Sequence, residues 1–273
     1  MKIKITNPDK IVFPDDKITK LDIVNYYNDI CEHMLKYTKN RPVSVIRCHK
    51  NIKSDCFFKK NVTTESDISS FDFEGQNLFC IKNIQDILNH AQLGTIEFHT
   101  WGCDLKKINC PTIMVFDLDP DVKMSIDKLR HGVLNLKKVL DDLNLQSFLK
   151  TSGGKGYHII VPFKKSNNWE QFNNFAKQVA QILESKYPSL YTTNIRKANR
   201  KNKIFVDYLR NSKGSTCVAP YSLRAKTTAP ISFPVSWQNL DKILPNQINI
   251  KNYKKYLKTN PWQDFFDVKQ YLV

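Results

Sequence analysis

The segment 112–120 (TIMVFDLDP) constrains the fold more than any other part of the chain. It is an apolar run that ends in two acids, Asp117 and Asp119, followed by a proline. Side chains at alternate positions of a β-strand face the same side, so the pattern predicts a buried strand that presents both carboxylates on one face. Two buried anions repel each other unless a cation neutralises them. The segment therefore predicts a divalent metal site or, in the simpler alternative, a strand that runs into an acidic turn.

The composition indicates a polyanionic partner. The chain of 273 residues can bury a full core and carries a formal net charge of +16. Such an excess favours nucleic acid, nucleotides or an anionic surface as partners, and its spread along the chain suits a groove that follows a phosphate backbone. The N-terminus lacks an apolar signal segment, and no run of about 18 apolar residues occurs. We therefore expect no membrane association and a cytoplasmic location.

The cysteines favour a reduced protein. There are seven, and no CxxC pair occurs, so we expect no disulfide framework. A zinc site built from Cys48, His49 and Cys56 is an alternative, although its spacing matches no common ligand pattern.

Amphipathic helices and a series of strands predict a mixed α/β fold. Helices are expected at Lys20–Thr38, with Thr19 as the N-cap, at 125–144 and at 168–185. Strands are expected at 43–47, 56–60, 78–82, Thr95–Thr100, 112–120, 146–151, 156–161 and 203–207. Strands followed by packing helices favour a first sheet that leads into a catalytic second one.

Two further motifs supply chemistry that fits the acidic strand. Asp207 ends the apolar run IFVD, and a third carboxylate at a strand end would complete a metal cage. The segment 151–158 (TSGGKGYH) places Ser152, Lys155 and His158 around a tight turn whose N–H groups can approach a phosphate. It is not a P-loop, because the GxxxxGK[ST] spacing is absent. Taken alone, each motif also fits an ordinary turn at a strand end.

Six further residues are candidates for contacts with nucleic acid or a nucleotide: His99, Phe57, Phe58, Asn7, Lys10 and Lys20. The histidine lies in an alternating strand. The adjacent phenylalanines face opposite sides of a strand, so one ring can pack in the core while the other stacks on a base. The last three surround a turn before the first helix and can form an anion pocket. The alternatives are a structural histidine, two core rings and solvated surface side chains.

Taken together, these motifs resemble the polymerase domain of bacterial DNA ligase D, an archaeo-eukaryotic-type primase-polymerase of non-homologous end joining. The segments that carry the resemblance fall in the family's order over nearly the whole chain: TNPDKIVFP, NRPVSVIR, CFFKKN, IEFHTWG, VFDLDP, KTSGGKGYHI, IFVDYLRN and VAPYSLRA. Each segment is weak alone, whereas the ordered set is highly specific. The resemblance implies a primase-like fold of two packed sheets flanked by helices. It also implies a single domain with an N-terminal sheet portion over about 1–110, which holds the 5′-phosphate pocket, and a catalytic portion over 111–273.

The resemblance further implies a role for each candidate residue. The residues implied to hold two catalytic divalent cations, Mn²⁺ or Mg²⁺, are Asp117, Asp119 and Asp207. Those implied to bind the incoming nucleotide are Ser152, Lys155, His158, Arg224, His99 and, by stacking on the base, Phe58. Those implied to contact DNA are Asn7, Lys10 and Lys20 at a 5′-phosphate and Phe57 at the template.

The implied activity is template-directed addition of nucleotides, with a preference for ribonucleotides, to primer 3′ ends at gaps or double-strand breaks. The implied partners are DNA ends or gapped duplexes with a 5′-phosphate, NTP or dNTP, Ku and a DNA ligase, in a nucleoid-associated protein. Two departures from the family are visible. Ile46 occupies a place where some members have a lysine near the base, and the chain has neither a KxDG motif nor a nuclease region. It resembles either a stand-alone polymerase or one domain of a longer protein.

Two other functions use part of the same residues. A metal-dependent nuclease or phosphoesterase needs the three acids, but neither a triphosphate cradle nor a stacking ring. A non-catalytic DNA-end-binding module needs only the basic pocket. A labelled gapped duplex incubated with manganese and nucleotides separates the three, because its strands lengthen, shorten or stay unchanged.

Overall fold

The computed structural model of the chain describes residues 3–54, 56–65, 67–164 and 168–272. Within these residues the α-helices are α1 (Lys20–Thr38), α2 (Ile84–Gln92), α3 (Ile126–Asp142) and α4 (Trp169–Lys186). The helices expected from the sequence are confirmed as α1, α3 and α4, and Thr19 caps α1 as predicted by accepting the N–H of Asp22. Helix α2 was not predicted, although the capping box of Asn83 and Asp86 marks its start.

The strands are β1 (Ile11–Phe13), β2 (Ile18–Thr19), β3 (Arg41–Cys48), β4 (Cys56–Lys59), β5 (Ser70–Phe73), β6 (Gln76–Ile81), β7 (Thr95–Thr100), β8 (Ile113–Pro120), β9 (Phe148–Thr151), β10 (Tyr157–Pro162), β11 (Tyr191–Thr192), β12 (Ile204–Asp207), β13 (Cys217–Val218) and β14 (Pro234–Val235). Every strand expected from the sequence is confirmed, with small shifts at the ends. The short strands β1, β2, β5, β11, β13 and β14 were not expected, because a few residues carry too little alternation to identify a strand.

Two main sheets carry the fold. The C-terminal sheet has the strand order β11-β12-β8-β10-β9-β14, and the N-terminal sheet has the order β13-β7-β3-β6-β5 with β4 beside β3. Strand β13 follows β12 in the chain but pairs with β7, whereas β14 returns to pair with β9. The chain after β12 therefore crosses from one sheet to the other and back, and this links the two sheets.

One buried core includes residues of both sheets. Met114, Phe116 and Leu118 alternate along β8 and are inaccessible to solvent. Helices α3 and α4 lie against β10 and β8, whereas α2 lies against α1 and β7. The expected mixed α/β fold with two packed sheets is confirmed. Among the helices of the described residues, none combines the length and apolar character that a membrane span requires.

Cys48 and Cys56 are joined by a disulfide between β3 and β4, where the two residues lie opposite each other. This differs from the reduced state expected from the cysteine pattern. The reason is the antiparallel pairing of β3 with β4, which the spacing of the cysteines does not reveal. The zinc alternative built on Cys48, His49 and Cys56 is wrong, because both thiols are used in the disulfide.

Candidate active site

A transverse row of side chains crosses the C-terminal sheet. In the antiparallel register, Asp117 of β8 lies opposite His158 of β10 on one side and opposite Asp207 of β12 on the other. Lys150 of β9 lies opposite His158 and extends the row. Residues directly opposite each other in neighbouring strands project from the same face of a sheet. The register therefore brings together three residues singled out from the sequence and adds a lysine that was not.

The buried carboxylates of this row already have cationic neighbours. His158 Nε2 lies 3.3 Å from Asp117 Oδ1, and Arg210 Nε lies 3.1 Å from Asp207 Oδ2. The Nη2 atom of Arg210 lies 3.7 Å from Asp117 Oδ2, so one guanidinium bridges both acids. Burial alone would raise the pKa of Asp117, but the charges of His158 and Arg210 outweigh burial and hold that pKa well below its usual range. Arg210 was not predicted from the sequence.

Asp119 lies at the exposed end of β8, two positions beyond Asp117. Partial burial and repulsion from Asp117 raise the pKa of Asp119, and burial also raises the pKa of Asp207. Over the described ranges, no three carboxylate, imidazole or thiol side chains are arranged to hold a metal ion. The chemistry of the three acids nevertheless fits a divalent cation. Oxygen ligands are those that Mg²⁺ and Mn²⁺ prefer, and a cation would relieve the repulsion between the carboxylates.

The Gly-rich turn between β9 and β10 is pressed against the acidic strand. Gly153 has a φ of +65°, and a Cβ there would lie 2.6 Å from the side chain of Arg224. A Cβ on Gly156 would lie 2.1 Å from the carbonyl oxygen of Leu118. Only glycine fits at these close approaches, and the turn consequently lies next to Asp119.

Polar side chains surround this turn. Ser152 Oγ accepts hydrogen bonds from the N–H groups of two loop glycines at 3.0 and 3.3 Å, which closes the turn. Lys155 is exposed at its tip. Lys226 also reaches over the turn, because its Nζ lies 2.8 Å from where a Cβ on Gly154 would be. Burial and the charge of Arg224 lower the pKa of Lys226. Lys226 was not predicted, although it follows Arg224 within the basic segment LRAK.

His158 lies in the row rather than in the turn. Its Nε2 faces Asp117, and its Nδ1 lies 2.9 Å from Nζ of Lys150. Burial lowers the pKa of His158, but the charge of Asp117 reverses this and raises the pKa overall. Both ring nitrogens therefore have partners within the protein, and a contact between His158 and a triphosphate stays a prediction.

A buried glutamate of the N-terminal sheet holds two residues of the expected nucleotide pocket. Glu97 Oε2 lies 2.9 Å from His99 Nε2 and accepts a hydrogen bond from Arg224 Nε at 2.8 Å. The other oxygen of Glu97 accepts the N–H of Ala225 at 2.8 Å, and Arg224 Nη1 donates to the carbonyl of Ser152 at 2.6 Å. Burial alone would raise the pKa of Glu97, but His99 and Arg224 lower it. Glu97 was not predicted, although its place two residues before His99 puts both on one face of β7.

Phe57 and Phe58 face opposite sides of β4, as their adjacent positions predicted. Phe58 is 56% exposed, and its ring centre lies 6.1 Å from that of His99. Phe57 stacks on His49 with ring centres 4.7 Å apart. Ile46 lies opposite Phe58 in the pairing of β3 with β4. Ile46, which stands where some family members have a lysine, therefore lies beside the exposed ring of Phe58.

Lys10 and Lys20 line one pocket at the N-terminal end of α1. The backbone N–H of Lys20 donates to the carbonyl of Lys10 at 2.8 Å, which attaches the preceding turn to the start of the helix. Lys10 Nζ donates to the carbonyl of His49, and Lys20 Nζ donates to the carbonyl of Thr6 at 2.7 Å. Asn7 is exposed in the turn, where its carbonyl accepts the N–H of Lys10 at 3.2 Å. The structure therefore places both lysines in the pocket wall and Asn7 in the adjoining turn.

The chain is similar to known proteins over nearly its whole length. The family model of the LigD primase-polymerase domain matches residues 19–266. The multifunctional non-homologous end joining protein LigD of Pseudomonas aeruginosa is 32% identical over 280 residues, which cover 98% of this chain and 33% of that protein. The bifunctional non-homologous end joining protein LigD of Bacillus subtilis is 29% identical over 247 residues, which cover 89% of this chain and 40% of that protein.

A solved structure has the same fold. The polymerase domain of ligase D from Mycobacterium tuberculosis, in complex with DNA, superposes with a TM-score of 0.87 at 28% sequence identity. The similarity covers 95% of this chain and 96% of that one. The chain thus spans 33% to 40% of the length of these two LigD relatives. The resemblance that the ordered motifs predicted is confirmed, and the chain belongs to the LigD primase-polymerase domain family of nucleotidyltransferases.

Proposed function

We propose that the chain adds nucleotides to primer 3′ ends under the direction of a template, at gaps or broken ends during non-homologous end joining. The observation that carries this proposal is the row of Asp117, His158 and Asp207 beside the Gly-rich turn, in a chain of this family. A nuclease would use the acids, but would need neither a cradle of cations for a triphosphate nor the exposed ring of Phe58. A preference for ribonucleotides is part of the proposal.

The cofactors in this proposal are two divalent cations, Mn²⁺ or Mg²⁺, held by Asp117, Asp119 and Asp207. When bound, they would activate the primer 3′-hydroxyl and neutralise charge on the departing pyrophosphate. Arg210 now lies against two of these acids. Its guanidinium and an incoming cation compete for the same oxygens, so Arg210 has to move before the acids can converge.

The incoming nucleotide is held by donors from separate segments of the chain. Ser152 and Lys155 of the Gly-rich turn face the phosphates together with Arg224 and Lys226. Because Glu97 fixes the guanidinium of Arg224 from behind, this charge is oriented before the nucleotide arrives. No protein nucleophile is required, since the primer hydroxyl attacks the α-phosphate. A base stacked on an exposed ring such as Phe58 gains roughly 1–3 kcal/mol.

The DNA partner in this proposal is a gapped duplex or an end with a 5′-phosphate. The relative from Mycobacterium tuberculosis was solved in complex with DNA. A net charge of +16 and the pocket of Lys10 and Lys20 supply the matching positive charge here. Ku and a DNA ligase are proposed as protein partners, from the end-joining role in the names of the relatives.

The test is extension of a labelled primer in a gapped duplex with a 5′-phosphate, in the presence of Mn²⁺. Ribonucleotides and deoxynucleotides are compared in parallel, and the template base in the gap is varied as the matched control. We expect the primer to lengthen in single-nucleotide steps, the added base to follow the template, and ribonucleotides to be added faster. Shortened products would replace the polymerase with a nuclease, and tight binding without extension would replace it with an end-binding module.

A further inference from the structure

We propose that Asn211 is a positioning residue for the acids, because its side-chain amide fixes the turn after β12 to β8 and so holds Asp207 at a set distance from Asp117. The importance of that distance for nucleotidyl transfer rests on the proposed function. The positioning itself can be tested by hydrogen exchange and by the affinity for Mn²⁺, without DNA or nucleotide.

Strand β12 covers only one end of β8. The pairing of the two strands stops where Asp117 lies opposite Asp207, which is the last residue of β12. The chain then enters the 3-10 turn Leu209–Asn211. Val115 lies on β8 before this point and is buried, so its backbone N–H and carbonyl need partners inside the protein. This edge of β8 therefore requires hydrogen bonds that β12 does not supply.

The amide of Asn211 supplies them. Its Oδ1 accepts the N–H of Val115 at 2.7 Å, and its Nδ2 donates to the carbonyl of Val115 at 2.7 Å. A residue of an opposing antiparallel strand makes the same two-way exchange, so this side chain stands in for one more residue of β12. Because the backbone N–H can only donate and the carbonyl can only accept, the amide has a single possible orientation.

The same amide also closes the turn that holds Asp207. Besides Val115, the Nδ2 atom of Asn211 donates to the carbonyl of Tyr208 at 2.8 Å. The backbone N–H of Leu209, in the same turn, donates to Asp207 Oδ1 at 3.0 Å. The turn thus sets the place of the Asp207 carboxylate, and Asn211 sets the place of the turn against β8.

The second acid is held by the other side of this contact. Asp117 follows Val115 by two residues on β8, so the contact of Asn211 with Val115 relates the two carboxylates to each other. Groups that lie behind metal ligands and fix their orientation commonly decide how tightly the metal binds. Asn211 is 1% exposed and touches neither carboxylate in any hydrogen bond of the described residues, so it acts through the backbone that carries them.

Arg210 gives the alternative role, because it precedes Asn211 and lies against both acids. If the amide served only to place this guanidinium, its loss would free the acids and Mn²⁺ would bind more tightly, as expected for Arg210→Gln. If the amide sets the distance between the acids, its loss separates the ligands and Mn²⁺ binds more weakly. The two roles therefore predict opposite changes in the same measurement.

The test is titration of Asn211→Ala with Mn²⁺, followed by electron paramagnetic resonance without nucleotide. We expect affinity to fall about 10-fold, the lower end for loss of a group that orients metal ligands. Equal or tighter binding than in the wild type would overturn this proposal alone. A wild type that binds no Mn²⁺ would overturn the proposed metal site and this proposal together.

Tyr191→Phe is the matched control for a general loss of stability. Tyr191 lies in β11 of the same sheet, and its buried hydroxyl donates to the carbonyl of Gly132 at 2.8 Å. Both variants lose a buried hydrogen bond to the backbone, and the melting temperature should fall in both. Mn²⁺ affinity should fall only in Asn211→Ala. An equal fall in Tyr191→Phe would assign the effect to stability and overturn the proposal.

Two further measurements apply if Asn211→Ala does not fold. Asn211→Ser lacks the second polar atom that bridges the two backbone groups of Val115, and its Mn²⁺ affinity should also fall. In the wild type, NMR should show slow hydrogen exchange of the Val115 amide, and exchange as fast as that of an exposed amide would overturn the proposal. A wild type that binds Mn²⁺ but extends no primer would refute the proposed polymerase while leaving these results intact.

Discussion

Two charged regions of the molecule differ in how their charges are balanced. In the row on the C-terminal sheet, the carboxylates of Asp117 and Asp207 share Arg210 as a counter-ion. In the pocket at the start of α1, the ammonium groups of Lys10 and Lys20 donate to neutral oxygens. Under the proposed function, a metal ion would have to displace Arg210 from the acids, whereas a phosphate oxygen would replace the neutral oxygens that Lys10 and Lys20 contact. We therefore expect the row to exchange one cation for another and the two lysines to bind an anion directly.

Removing a carboxylate from the row is expected to have the largest effect. Asp117→Asn keeps the shape of the side chain but removes a charge that the proposed reaction needs. We expect primer extension to fall about 10³-fold, as for the loss of a preorganised electrostatic group. Affinity for a 5′-phosphorylated duplex should change little, because the pocket of Lys10 and Lys20 lies by the other sheet. Single-turnover extension and fluorescence anisotropy measure the two quantities.

Asp121→Asn is the matched control for this prediction. Asp121 follows the same strand, but its carboxylate accepts the N–H of Asn202 and lies outside the row. Its extension rate should stay close to that of the wild type. If Asp117→Asn lost DNA affinity as much as extension, the row and the pocket of Lys10 and Lys20 would be coupled. They could then not be treated as separate sites for a cation and an anion.

Removing a cation from the pocket should weaken binding of the 5′-phosphate, whereas removing a carboxylate from the row should mainly slow primer extension. We expect Lys10→Ala and Lys20→Met each to weaken discrimination for a 5′-phosphate about 10–100-fold, since a hydrogen bond to a charged group contributes about 1.5–3 kcal/mol. The salt dependence of binding should lose about one unit of slope, because one phosphate contact is lost. Affinities for 5′-phosphate and 5′-hydroxyl duplexes measure this. Lys36→Ala, at the exposed far end of α1, is the control, and equal losses there would reduce the effect to overall charge.

Residues carried by strands were placed well from the sequence, because alternation determines which face of a sheet each one occupies. Asp117 and Asp207 each end an apolar run, and the structure puts them opposite each other. Phe58 likewise lies on the exposed side of its strand. The roles of these residues in binding metal and nucleotide stay predictions.

Groups that reach the site through loops or from the other sheet could not be placed in this way. Arg210 returns to the acids through the short 3-10 turn Leu209–Asn211, whose direction no periodicity encodes. Glu97 meets Arg224 across 127 positions of sequence because β13 joins the N-terminal sheet. A strand of two residues gives no pattern from which that pairing can be read. The disulfide was missed for a similar reason, since it depends on the register of β3 and β4.

Loosening the link between the sheets tests whether the nucleotide pocket depends on preorganisation. Glu97→Gln removes the charge that holds His99 and Arg224. We expect KM for the incoming nucleotide to rise roughly 10-fold, the lower end for loss of an orienting partner, with a smaller change in kcat. Steady-state kinetics over a nucleotide series measure both constants. Glu74→Gln is the control, because Glu74 is exposed and pairs only at the surface with Lys213. An unchanged KM in Glu97→Gln would show that Arg224 is held without this acid.

Competition between Arg210 and a metal ion for the acids can be measured as the affinity of the protein for Mn²⁺. Arg210→Gln removes the guanidinium from Asp117 and Asp207. Because the side chain of Arg210 is 42% exposed, solvent weakens both ion pairs, and we expect Mn²⁺ to bind only about 2–5-fold more tightly. Titration followed by electron paramagnetic resonance, without nucleotide, reports this affinity. Weaker or unchanged Mn²⁺ binding would mean that Arg210 does not compete for the acids.

The smallest expected effect is a pH dependence confined to the pocket. Burial and the charge of Lys10 lower the pKa of Lys20 from its ordinary value of 10.5. A 5′-phosphate is fully ionised above about pH 7, so its attraction to Lys20 is complete while the lysine is protonated. That attraction should decline as pH rises through the lowered pKa, earlier than for an ordinary lysine. The stability of the fold depends on pH in the opposite direction. Because Lys20 releases its proton at lower pH in the folded state than in the unfolded state, its contribution to the free energy of unfolding rises with pH between the lowered pKa and the ordinary one.

The ratio of affinities for 5′-phosphate and 5′-hydroxyl duplexes isolates this titration, since groups that contact neither 5′ end cancel. Measured up to about pH 10, within the range in which a perturbed lysine titrates, the ratio should fall in the wild type and stay flat in Lys20→Met. A wild-type ratio that holds constant over this range would show that Lys20 keeps an ordinary pKa or does not touch the phosphate. If Lys20 does not touch the phosphate, the affinity for a 5′-phosphate should also be the same in Lys20→Met as in the wild type, and the pocket would rely on Lys10 alone.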